Sequence, residues 1–149
     1  MRHQALLIAA LSASILTACG GEPADTRPGQ PVSARRTAFK KILLAFEPMG
    51  IALREKQYDA DRLIAQAEEL AKVKDGPWRH FGPDTNYPPT HAKASVWSDT
   101  QRFDTDRQAF LQAVDSLTLV AASRDEKKVA VAYDAVHDSC RSCHKAFKE

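Results

Sequence analysis

Cys140 and Cys143 are separated by two residues, Arg141 and Ser142, and His144 follows directly. Two thiols at this spacing with an adjacent imidazole match the attachment pattern of c-type haem. The sulfurs add to the two vinyl groups as thioethers, and the imidazole coordinates iron. On a helix the three side chains fall within little more than one turn, so they reach one edge and one face of a single porphyrin. Other uses of these residues fit less well. A structural zinc site needs four ligands, and only His137 is close enough in sequence to add to the cluster. A thioredoxin-like pair follows a strand and opens a helix, whereas this pair closes one. A simple disulfide between Cys140 and Cys143 would leave His144 incidental.

The elements that position this cluster are helical. Phe39, Ile42, Leu43, Phe46, Met49, Gly50 and Leu53 recur at three- and four-residue intervals across Ser33 to Lys56, with Pro48 expected to kink the helix or free a carbonyl. Leu63, Ile64, Ala67, Leu70 and Ala71 repeat the pattern over Asp61 to Val73, with Asp59 or Asp61 as the cap. A third stripe, Val96, Phe103, Phe110, Val114, Leu117 and Ala121, predicts a helix from about Lys93 to Ala122. Ser123 to Glu126 reads as a capping box opening a fourth, which carries Val129, Ala132, Tyr133, Val136, the two cysteines, His144 and Phe147. No stretch keeps period two long enough for a sheet. The class is all-α, and the short connections within each helix pair predict an up-down antiparallel four-helix bundle with haem near the C-terminal helix. The connection from Asp75 to Pro89 is longer and holds Trp78, Phe81 and Tyr87, as expected of a chain crossing the end of a bundle.

The chain has 149 residues, enough for one modest domain. Its 21 Lys and Arg against 19 Asp and Glu give a formal charge of +2, too balanced for the basic footprint that nucleic acid requires. No paired carboxylates and no nucleophile–base constellation argue for an enzyme. The uncharged run from Ala5 to Cys19 is shorter than the roughly 18 residues that a membrane-spanning helix needs. With Arg2 and His3 ahead of it, the run reads instead as an export signal. Leu16-Thr17-Ala18-Cys19 resembles the lipobox of bacterial lipoproteins, which implies cleavage before Cys19, acylation of that cysteine and anchoring in a membrane, with Gly20 pointing to the outer one. The chain therefore divides into a signal peptide at 1–18, a lipidated Cys19 with a Pro- and Gly-rich tether at 19–32, and a folded domain at 33–149.

From Ser33 to Glu149 the chain resembles the class II cytochromes c, and within them the cytochrome c' family. The resemblance rests on the haem motif in the last helix, on Ala92-Lys93-Ala94-Ser95-Val96-Trp97-Ser98-Asp99 at the entry to the third, on Tyr58-Asp59-Ala60 and Phe81-Gly82-Pro83, and on Phe147 three residues after His144. It implies an exported protein with one covalent haem c that carries electrons between envelope proteins or binds NO and CO, in some members as a homodimer through helices one and two. It also implies a basic residue touching the haem near the start of helix one, here Arg35 or Arg36, and a distal position occupied by Phe39 where low-spin members carry Met. Met49 lies ten residues further on, roughly 15 Å along a helix, and reads as a core residue. An apolar distal residue leaves iron five-coordinate and open to small neutral ligands; a sixth protein ligand would make a low-spin electron carrier. A haem-free envelope protein using Cys140 and Cys143 as a dithiol is the reading outside this class. Lys148 stands four residues after His144 where the family usually has Arg, and Lys lacks the planar, stacking guanidinium. His137, seven residues before His144 on nearly the same helical face, reads as a partly exposed core histidine rather than a haem contact, and His91, beside helix three, as a candidate lining residue of the crevice.

Overall fold

The computed structural model describes residues 23–149; the signal-peptide and Cys19 expectations lie outside them. Its helices are α1 (Pro31–Arg54), α2 (Ala60–Val73), α3 (Ser95–Ser98), α4 (Thr100–Ala121) and α5 (Glu126–Phe147), with a single 3-10 turn at Trp78–His80. The four long helices form an up-down antiparallel bundle, and no strand occurs among the described residues. α4 packs along α5 and α2, and α1 along α2. Met49, Leu63, Leu70, Leu117, Val114, Val129 and Val136, all essentially inaccessible to water, form the centre of the core.

The start of α1 corrects the tether expectation. Pro31 fits the first helical turn because it has no N–H to satisfy, but the cap residue Gln30 offers no side-chain bond. The carboxylate of Asp25 takes that place. It accepts from the N–H of Val32 at 2.8 Å and of Ser33 at 3.1 Å, and from Tyr87 Oη at 2.8 Å. Left-handed backbone at Gly29 and Gln30 turns the chain back to allow this. Arg27 lies over the Tyr87 ring at 3.8 Å. Residues 23–30 are thus part of the folded domain, because orphan donors at a helix start need an acceptor and the nearest one lies upstream.

Pro48 behaves as expected, and two further boundaries differ from expectation. α1 runs on through Pro48, and the carbonyl that the proline ring leaves free belongs to Leu44, on the solvent face. The third predicted helix is broken at Asp99, whose non-helical backbone ends α3 and whose carboxylate accepts from Arg102 N–H to start α4. Asp125, not Ser123, caps α5, accepting from Lys127 and Lys128 N–H at 3.1 and 3.2 Å; a carboxylate is a stronger partner for the helix dipole than a hydroxyl. Asp59 is the cap of α2.

The bundle is closed at one end and open at the other. At the closed end Phe46 of α1 stacks on Tyr133 of α5, with centroids 4.3 Å apart and planes 7° from parallel. Gly50 faces the same ring, and a Cβ there would lie 2.6 Å from Tyr133 Cζ. That close approach pins α1 to α5. Toward the start of α1 and the end of α5 a cleft lies between the two helices.

Candidate haem-binding site

Cys140, Cys143 and His144 lie on the last turns of α5, and the segment before α3 fixes that helix end. Lys93 N–H donates to Phe147 C=O at 2.9 Å, Ser95 Oγ to Ala146 C=O at 3.1 Å and Lys93 Nζ to Lys145 C=O at 3.1 Å. Glu149 N–H in turn donates to His91 C=O at 2.9 Å. These bonds satisfy helix-terminal carbonyls that would otherwise fray, so the three side chains are held on a fixed scaffold.

All three line one cleft of about 380 Å³, within the size range of cofactor pockets. α1 contributes Phe39, Arg35 and Arg36; α4 contributes Phe103, Asp106 and Phe110; Trp78 and Phe81 come from the long connection. The walls are aromatic and mutually braced. Phe39 meets Trp78 edge-on at 5.6 Å and Phe81 at 6.3 Å, Phe81 packs on Phe103 at 5.0 Å, and Phe103 on Phe147 at 5.3 Å. Such edge-to-face packing holds rings in place beyond simple burial.

Burial pushes both thiols up, that of Cys143 to about 11, with the Asp106 carboxylate adding to the effect. Reactive dithiols depend on the opposite shift, so these surroundings do not favour a redox dithiol. The imidazole of His144 is exposed on one side. Partial desolvation, then the charge of Lys148, lowers its pKa, which favours the neutral form whose lone pair a metal needs. Lys148, the C-cap residue of α5, also lines the cleft.

The two arginines take different places. Arg35 is 3% exposed and donates from Nη1 to His80 C=O and Thr85 Oγ1, and from Nη2 to Thr85 C=O and Thr90 Oγ1, at 2.6 to 3.3 Å. Its guanidinium lies over Phe81 at 4.6 Å. It therefore holds the long connection against α1. Arg36 donates to Pro89 C=O and Pro23 C=O at the rim. Met49 is fully buried in the core and does not line the cleft. His137 is exposed at the surface, 3.8 Å from Asp138, rather than part of the core as expected, and it lies outside the cleft. His91 does line it, as do Lys40 and Asp106, which the sequence reading passed over. Asp106 carried a signal: it falls at helical spacing between Phe103 and Phe110, a carboxylate within the apolar stripe.

The sequence profile described as cytochrome c' matches residues 30–148. The chain belongs to the cytochrome c' family. It is 32% identical over 148 residues to cytochrome c' of Cereibacter sphaeroides, covering 96% of both chains, and 30% identical over 124 residues to that of Alcaligenes xylosoxydans, covering 83% of this chain and 96% of the other. The crystal structure of cytochrome c' from Rubrivivax gelatinosus superposes with a TM-score of 0.78 at 28% identity, over 85% of this chain and all of that one. A nitric oxide complex of a cytochrome c' variant from Alcaligenes xylosoxidans superposes at 0.77 with 29% identity, over 85% of this chain and 99% of that one. The cofactor of a cytochrome c' is covalent haem c, and the residues present suit it: two thiols and a neutral imidazole on one helix end, facing an aromatic slot. Among the described residues no helix is long and apolar enough to cross a membrane.

Proposed function

We propose that Cys140 and Cys143 hold the haem as thioethers, that His144 is the single protein ligand of its iron, and that Phe39 screens the opposite face, giving a protein that binds NO or CO and passes single electrons. Bound haem supplies an iron that changes oxidation state by one electron and takes small diatomic ligands. The protein's own contribution is to fix the imidazole, exclude water with aromatic walls and withhold a sixth ligand.

The observation that carries this reading is the contrast between Phe39, whose ring forms part of the cleft wall, and Met49, sealed in the core. An aromatic hydrocarbon offers iron no lone pair. CO and NO need no hydrogen-bond donor to bind ferrous iron, whereas bound dioxygen gains no polar stabilisation from such a wall. Arg35 and Arg36 bring positive charge to the α1 side, suited to propionates, with Arg35 also holding the connection that carries Trp78 and Phe81. Lys148 supplies charge beside His144 without a stacking plane.

The rival reading, a six-coordinate low-spin electron carrier, is favoured by one observation: His91 and Lys40 also line the cleft. His91 is tied through its carbonyl to Glu149, just past the helix that carries His144, whereas a sixth ligand must come from the opposite wall; Lys40, on α1 next to Phe39, is the side chain that the rival reading would use. Electron paramagnetic resonance of the ferric protein separates the two. A high-spin signal supports the open site; a purely low-spin signal overturns it.

Export and a lipid anchor at Cys19 complete the proposal, placing the domain in the periplasm on a membrane surface, the outer one by the residue after the cysteine, within reach of redox partner proteins of the envelope. Leu44 and Ile51 of α1, 76% and 47% exposed, support a homodimer built on α1 and α2.

A further inference from the structure

Asp106 sits on α4 between Phe103 and Phe110, in the wall of the cleft that also holds Cys143. Its Oδ2 is buried and accepts no hydrogen bond. Nearby carboxylates are provided for: Asp104 pairs with Arg107, and Asp99 caps α4. The cleft arginines donate elsewhere, Arg35 to the long connection and Arg36 to Pro89 and Pro23. Among the described residues no cation is paired with Asp106. Asp106 as a whole is half-buried, but a carboxylate oxygen buried without a partner is costly and calls for a reason. Packing supplies none here, since an apolar residue would fill the stripe at less cost.

We infer that Asp106 sets the redox poise of the haem, its unneutralised charge at the thioether edge favouring the ferric over the ferrous state. Reduction adds one electron and removes one positive charge from the iron–porphyrin unit. A fixed anion in a water-poor cleft interacts better with the more positive, oxidised form, and the low local dielectric keeps that preference from being screened. The cations Arg35 and Arg36 lie on the α1 side and Asp106 beside Cys143, so the charge pattern of the cleft also places anionic propionates away from the thioethers. The inference rests on the attachment of haem c at Cys140 and Cys143.

Spectroelectrochemical titration of wild-type holoprotein and the D106N variant tests it, with covalent haem content measured on both as the pyridine haemochrome. The midpoint potential is expected to shift upward in D106N, with haem content and spin state unchanged, and to return toward wild type in D106E. Should the amide impair folding, Asp106→Ser removes the same charge with a smaller side chain and carries the same expectation. An unchanged or lowered potential in a charge-removing variant that retains its haem overturns the inference alone. A wild-type protein without covalent haem overturns the attachment itself, and this inference with it.

Discussion

In the proposed five-coordinate site, Phe39 is the side chain on which ligand binding turns. Its ring is braced by Trp78 and Phe81, so a ligand entering on that side has to displace a packed aromatic group. Phe39→Ala removes this barrier. The CO affinity of the ferrous variant is expected to rise about tenfold, equivalent to about 1.4 kcal/mol, in an optical CO titration; an unchanged affinity would mean that Phe39 does not cover the iron. The cysteines and His144 were legible in the sequence because their chemistry is written in five consecutive residues. Arg35 was legible only as a basic residue near the haem. Its bonds to His80, Thr85 and Thr90 span forty-five to fifty-five positions, and no local pattern encodes partners so far along the chain. Asp106 could have been found from its place in the stripe, but its missing partner is a property of the packed cleft.

Among the helices, α1 governs the shape of the site, being pinned at one end and set apart from α5 at the other. Gly50 makes the pin. An alanine Cβ there would lie 2.6 Å from Tyr133 Cζ and closer still to its hydroxyl, so G50A is expected to cost about 1–3 kcal/mol through overpacking, read as a lower melting temperature. At the other end Asp25 holds the start of α1. Burial alone would raise its carboxyl pKa; the Tyr87 hydroxyl and the N–H groups of Ser33, Arg27 and Val32 outweigh that and hold it below the ordinary 3.8. A carboxylate with a depressed folded pKa stabilises the fold above its unfolded pKa, and the contribution is lost as pH falls through the folded value. Wild type is therefore expected to be more stable than D25N at neutral pH, the gap closing below pH 3.8; urea melts across that range check it, and a pH-independent gap would count against the carboxylate. Periodicity located the four long helices because each buries an apolar stripe. It missed the break at Asp99 and the docking of residues 23–30, since both depend on side chains capping backbone groups rather than on hydrophobic spacing.

Taken whole, the molecule is a bundle closed by Phe46, Gly50 and Tyr133 and opened near α5's last turns into an aromatic slot. The long connection, tied down by Arg35, supplies Trp78 and Phe81 to that slot, which explains why a small domain spends so many residues outside its helices. The sequence made the all-helical class and the place of the haem motif plain; the depth and lining of the slot arise only when α1, α4, α5 and the connection meet. The coordination proposed here, His144 on one face of the iron and the Phe39 ring on the other, has a direct optical consequence. The measurement to make is the spectrum of the purified ferrous protein before and after addition of CO and then NO. A five-coordinate haem screened by Phe39 predicts a broad high-spin Soret band that gives way to a new band with each gas. A sharp, split α and β pair indifferent to CO would contradict it, showing that a protein side chain already occupies the sixth position.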